Sequence, residues 1–114
     1  MPHFVVDCSQ GILRQHGEED ILARLHRVAT ATGLFDEADI KVRVNPYAVY
    51  AVGGGRDDFI HVFAHIMQGR TVAQRADLSR RIVGELAAMF PDVRWIAANI
   101  AEFEKATYVN RGML

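Results

Sequence analysis

Residues 59–82, FIHVFAHIMQGRTVAQRADLSRRI, hold two periodicities back to back, and the point where one yields to the other decides the fold. Phe59 to Met67 is dense in aliphatic and aromatic residues and reads as a strand. After Gly69-Arg70, the run Thr71-Val72-Ala73-Gln74 fits a capping box. In that motif a hydroxyl and an amide side chain each satisfy a backbone group that the first helical turn leaves unpaired. Leu78, Ile82, Leu86 and Met89 then recur at helical spacing, and Pro91 stops the helix. Residues 93–103, VRWIAANIAEF, make a last strand. The second half of the chain therefore reads strand, helix, strand.

The first half repeats that order. Residues 3–8, HFVVDC, form a short strand, and a loop with Gly11 and Gly17 follows. From Glu19, Ile21, Leu22, Leu25, Val28 and Ala29 fall on one helical face; Glu18, Glu19 and Asp20 favour its start, and Gly33 can cap its end. Residues 40–52, IKVRVNPYAVYAV, read as a strand interrupted near Pro46. It leads to Gly53-Gly54-Gly55, a hairpin connection rather than a phosphate loop, since no Lys-Ser/Thr follows and no helix starts there. The segments DIKVRV (39–44) and DVRWIA (92–97) form a faint repeat, and the tail 104–114 carries no obvious element.

Two right-handed β-α-β units predict an α/β (α+β) fold, a four-stranded sheet with two helices on one face. The expectation is a single domain over residues 1–114, with pseudo-repeats at roughly 1–53 and 58–103 and a C-terminal tail. The other face of the sheet carries His61, Phe63, His65 and Met67, or their alternates, and nothing in the chain covers it. That predicts self-association.

Composition excludes several classes. With 13 basic and 14 acidic residues the net charge is −1, so no electrostatic footprint points to nucleic acid or an anionic membrane. Cys8 is the single cysteine and cannot close an internal disulfide. No charged leader with a long apolar core opens the chain, and a cytoplasmic address is expected. No apolar run approaches the roughly 20 residues that cross a bilayer.

Pro2 poses the chemical question. Behind an initiator methionine, a small residue is usually exposed by processing, and Pro2 would then be a secondary amine on a rigid ring. The bland reading is an edge-strand residue whose missing N–H costs nothing. Other tempting features read plainly too. His61 and His65 have the i, i+4 spacing of helical metal ligands, but on a strand they stand roughly 13 Å apart, so no metal site is assigned. Cys8 reads as a core residue, and Phe4, Phe63, Trp95 and Phe103 as core or interface. His3 stands beside Pro2 and is able to contact a ligand there.

MPHFVVDCS at the start, ATGLF after the first helix and MQGRTVAQRADLSRRI entering the second together resemble the 5-carboxymethyl-2-hydroxymuconate isomerases of the tautomerase superfamily. The GRT-x-x-Q stretch is also similar to the strand-to-helix junction of 4-oxalocrotonate tautomerases. The resemblance spans nearly the whole chain in order and spacing. It implies a tautomerase-like fold, a homo-oligomer, most simply a trimer, and a cofactor-free keto-enol isomerase of small unsaturated di- or tricarboxylates, as in 5-carboxymethyl-2-hydroxymuconate delta-isomerases.

The resemblance also implies roles. The processed Pro2 would be the catalytic base, and Arg70 of the GR motif would anchor a substrate carboxylate. Independent physics agrees: an α-amino group beside cations and partly buried is neutral near pH 7, as a general base must be. An arginine where a strand ends and a helix begins offers a planar fork beside free N–H groups. Where the family commonly has arginine, this chain has Lys41, which keeps the charge but not the bidentate fork. Arg43, on the same strand face at roughly 6–7 Å, is the alternative second anchor. The family's sites lie at a subunit boundary, so Lys41, Arg43, Tyr108 or Asn110 could serve a neighbour's substrate. Two other readings stay open: a non-catalytic ligand-binding or signalling protein on the same fold, and a plain α/β sandwich dimerising through its sheet with a structural Pro2.

Overall fold

A computed structural model describes residues 1–114. Its elements run β1 (His3–Ser9), α1 (Glu18–Ala31), β2 (Lys41–Tyr47), β3 (Phe59–Met67), α2 (Val72–Met89) and β4 (Trp95–Phe103). The sheet order is β2-β1-β3-β4. β1 pairs parallel with β2 and β3 parallel with β4, while β1 and β3 run antiparallel. Each β-α-β unit thus contributes one parallel pair, and the units meet head to tail at the sheet centre. This is a tautomerase-like α+β fold, four strands with both helices on one side.

Alternation along the strands sets the layers. Phe4, Val6 and Cys8 of β1 and Ile60, Val62, Ala64 and Ile66 of β3 are buried against the helices. They meet Ile21, Leu25 and Ala29 of α1 and Leu78, Ile82, Leu86 and Met89 of α2 in one core. Fully burying a side chain of this size contributes about 1.5–3 kcal/mol. The opposite face carries His61, Phe63, His65 and Met67, partly or well exposed. Of the two possible registers, the helices therefore take the residues that flank the histidines.

The predicted caps are present in full. Thr71 Oγ accepts from the Gln74 amide at 3.1 Å, and Gln74 Oε1 accepts from the Thr71 amide at 2.9 Å. α2 ends at Met89, two residues before Pro91. Several boundaries differ from the sequence reading: β1 extends to Ser9, and β4 begins at Trp95 rather than at residue 93. β2 begins at Lys41, runs through Pro46 and ends at Tyr47. It is an edge strand, where the missing proline N–H faces away from β1. Residues 48–58 are not strand, and Val52 and Gly55 close a tight turn in which Gly53 and Gly54 both have positive φ, a conformation glycine adopts without strain. The segment after β1 is not simple loop: Gln10–Arg14 winds as a 3-10 helix whose Ile12 enters the core. The tail also has shape, with 3-10 turns at Lys105–Thr107 and Arg111–Met113. No helix is long and apolar enough to cross a membrane.

Candidate functional site

The start of β1, the start of β2 and the end of β3 lie together at one end of the sheet. Parallel pairing puts His3 opposite Lys41, and antiparallel pairing puts His3 opposite His65. One residue earlier, the Lys41 amide donates to the Pro2 carbonyl at 3.1 Å. Three stretches far apart in sequence thus converge on the first residues of the chain.

A cavity of about 460 Å³ opens there, lined by Met1, Asp39, Lys41, Met67, Arg70, Tyr108 and Asn110. Pro2 is buried and is not among the residues that line it; its nitrogen is in the peptide bond to Met1, which does line it. The Met1 amine has its pKa lowered, first by burial, then by the Lys41 charge, with Asp39 opposing. Lys41 Nζ donates to the Asp39 carbonyl at 2.9 Å.

Arg70 is held by a chain of local contacts. Gly69 has φ +119°, which a side chain would resist, and its N–H donates to Glu102 Oε2 at 3.3 Å. Glu102 also pairs with Arg75 of α2 at 3.5 Å, fastening the turn to the helix start. The Arg70 guanidinium then donates to the carbonyls of Met67 at 3.2 Å and Leu34 at 2.5 Å. It lies 5.2 Å over the Phe35 ring, which itself meets Phe4 edge-on. Two contacts fix the plane of the fork, three of its five N–H donors remain, and no carboxylate pairs with it within 4.0 Å.

Arg43 goes elsewhere. Its NH1 lies 3.0 Å from His3 Nδ1, on the uncovered sheet face, and it does not line the cavity. His3 is held below its usual pKa, first by burial, then by Arg43 and Lys41, which suits Nδ1 as the acceptor. Tyr108 and Asn110 line the cavity within the same chain. The tail is folded back by the Lys105 amide donating to Gln68 Oε1 at 2.6 Å and by the Phe103 and Tyr108 rings, 6.2 Å apart.

Leu34, Phe35 and Asp39 were not singled out as site residues from the sequence. Leu34 and Phe35 belong to the ATGLF stretch, but a backbone carbonyl 36 positions from the arginine it serves and the ring next to it leave no local signal. Elsewhere, His61 bonds Asn99 at 2.6 Å and His65 stacks near Phe103 at 5.8 Å, so the two histidines serve different neighbours. Cys8 is fully buried, and burial pushes its thiol up to about 11. That is the opposite of an activated nucleophile.

The family described as 5-carboxymethyl-2-hydroxymuconate isomerase matches residues 2–107. The chain is 31% identical over 77 residues to a 5-carboxymethyl-2-hydroxymuconate Delta-isomerase of Escherichia coli, a match covering 66% of this chain and 61% of that relative. This chain therefore aligns with somewhat less than two thirds of that relative's length. A crystal structure of a 5-carboxymethyl-2-hydroxymuconate isomerase from Deinococcus radiodurans R1 superposes with TM-score 0.84 at 20% identity, covering 96% of this chain and 88% of that one. A fused 4-OT solved as an asymmetric trimer superposes with TM-score 0.81 at 15% identity, covering 96% and 93%. At these identities the structural matches establish the shared fold.

Proposed function

This chain belongs to the 5-carboxymethyl-2-hydroxymuconate isomerase family, and we propose that it is a cofactor-independent keto-enol isomerase of small unsaturated di- or tricarboxylates, acting as a homotrimer. The observation that carries this reading is the single cavity that gathers the chain start, Lys41 and Arg70 from three distant stretches. The curated relative is named as an isomerase, and a fused 4-OT of the same fold is described as a trimer.

The chemistry needs one base and one anion anchor. Removal of Met1 turns the Pro2 nitrogen from an amide into a secondary amine. In the unprocessed chain, burial and the Lys41 charge lower the pKa of the Met1 amine, and the same surroundings would favour the neutral form of an amine at Pro2. The neutral amine takes the proton of a dienol hydroxyl and returns a proton to a carbon of the conjugated chain, so the enol becomes a ketone with no net gain or loss. Arg70, with its plane already fixed, presents its free N–H groups to a carboxylate of the substrate. Lys41 is the second cation, and Tyr108 and Asn110 supply hydrogen bonds at the rim. Arg43 stays with His3 on the face that a neighbouring copy covers.

The test is an ultraviolet screen of protein with a free Pro2 terminus against conjugated 2-hydroxydienoates bearing one, two and three carboxylates. Turnover that disappears in Pro2-blocked protein supports the reading. Failure to turn over any of the three leaves the fold without this activity.

A further inference from the structure

An arginine that is to hold a ligand's carboxylate cannot spend its charge on a carboxylate of its own, yet a long side chain left unheld loses much of its binding energy to ordering. Arg70 has no carboxylate within 4.0 Å. Its two terminal nitrogens donate instead to the carbonyls of Met67 at 3.2 Å and Leu34 at 2.5 Å. Two such bonds hold one edge of a planar group and leave it free to rock about that edge. The Phe35 ring removes that freedom, because the guanidinium lies over its face at 5.2 Å.

The ring is itself held. Phe35 meets Phe4 edge-on, with centroids 6.0 Å apart and planes at 78°, and Phe4 is 1% exposed in the core. The backbone that carries the ring is also set. Thr32 Oγ1 donates to the Ala29 carbonyl at 2.6 Å and accepts from the Leu34 amide at 3.3 Å, and Gly33 between them has φ +70°, where a side chain would be strained. One short turn after α1 therefore delivers both the Leu34 carbonyl and the Phe35 ring to Arg70. Arg70 lines the cavity and Phe35 does not, so any effect of the ring there passes through the guanidinium.

We propose that Phe35 is a positioning residue for Arg70: its ring fixes the plane of the guanidinium through a contact that carries no opposing charge, and the remaining N–H donors keep one place at the cavity for a carboxylate of the substrate. This rests on the isomerase reading above. A carboxylate beneath Arg70 would hold it equally well but would cancel the charge the substrate needs. An aromatic face attracts the cation through its quadrupole and leaves the in-plane donors free.

Phe35→Leu keeps an apolar side chain and removes the ring, whereas Phe35→Tyr keeps the ring. Each is made alone and together with Arg70→Gln, in protein with Pro2 free. Affinity for tricarballylate, a saturated tricarboxylate, is measured by calorimetry beside a thermal melt, which needs no turnover. Phe35→Leu is expected to weaken binding about fivefold to tenfold and Phe35→Tyr by less than about twofold. With Arg70→Gln already in place, Phe35→Leu should change affinity by less than about twofold, because the ring reaches the ligand only through the guanidinium. On 2-hydroxydienoates, Phe35→Leu should lower kcat/KM by the same factor with its pH midpoint unmoved, since the ring does not touch the base. Equal weakening with and without Arg70→Gln would show that Phe35 supports the site as a whole, and unchanged affinity in Phe35→Leu would show that the two carbonyls alone hold the fork. Either result overturns the proposal. If the two substitutions couple as expected but no dienol is turned over, the isomerase reading fails and the Phe35 assignment stands. If dienols are turned over and Arg70→Gln slows them while Phe35→Leu does not, the Phe35 assignment alone fails. Protein that neither binds nor turns over these compounds leaves Arg70 without a ligand, and both fail.

Discussion

The Lys41 amide donates a 3.1 Å hydrogen bond to the Pro2 carbonyl, so the first residue of β2 and the residue behind Met1 are neighbours through their backbones. The contact is the end of the parallel β1–β2 ladder. It brings the Lys41 backbone to the chain start by strand pairing, and the bond from Nζ to the Asp39 carbonyl holds the charge there. The electrostatics of the terminus are therefore shared between the sheet, which supplies Lys41, and the turn before it, which supplies Asp39.

The state of that terminus should decide activity. Protein that retains Met1 has an amide at Pro2 and should lose most isomerisation at unchanged melting temperature, with mass spectrometry establishing which form is present. In processed protein, the base works when neutral, so kcat/KM should fall as pH drops through its pKa. Lys41 adjoins Pro2 through the backbone bond, and a cation there disfavours the protonated amine, so Lys41→Gln should move that midpoint upward. Equal rates with and without Met1 would remove the proline amine from the mechanism.

Arg70→Gln should reduce kcat/KM by roughly ten- to hundredfold, the worth of a charge-assisted hydrogen bond. It also loses contacts to the Leu34 and Met67 carbonyls, so about 1 kcal/mol of stability should go with it. Steady-state kinetics beside a thermal melt separates the two effects, and unchanged kinetics would take Arg70 out of the site.

The uncovered sheet face carries Phe63, 37% exposed, and Trp95, 43% exposed, beside His3, His61 and His65. Sedimentation at micromolar concentration should give three times the chain mass. Phe63→Glu should release folded monomers, because an unpaired charge in a covered apolar patch costs more than an exposed one. A wild-type monomer under these conditions would contradict trimer formation.

His3 should make the fold acid-sensitive. Its pKa is lowered in the folded chain, first by burial and then by Arg43, so the unfolded chain binds the proton more readily. Stability should be level above about pH 6.5, the ordinary histidine value, and should decline as pH falls below it. Denaturant titrations at pH 7.5 and 5.5 should show this loss reduced in His3→Asn. An identical loss in the variant would place the sensitivity elsewhere.

Elements were legible in the sequence wherever the signal is local. The change from strand to helix at Gly69–Thr71, the capping box and the stop at Pro91 each depend on side chains within a turn of one another, and all are present in the fold. The duplicated β-α-β order followed from the same signals, and with it a sheet that has one bare face. The 3-10 helix at Gln10–Arg14 leaves no sequence signal, because Gly11 within it and Gly17 after it resemble loop punctuation, while Ile12, its one buried residue, carries no period.

Tertiary structure decided which residues meet. β3 is apolar on both faces, so a period of two left open whether His61 or Val62 faces the helices, and only the packing of α1 and α2 chose. Lys41 and Arg43 are chemically similar and share one face of β2. Lys41 lies at the sheet end where Arg70 and the returning tail close a cavity, while Arg43 lies one pleat further in against His3. The seat of Arg70 is a carbonyl and a ring from the connection between α1 and β2, and Asp39 of the same connection lines the cavity with it. Sequence fixes a residue's neighbours along the chain, whereas a site is made of neighbours across it, and those distances exist only after the two halves have packed.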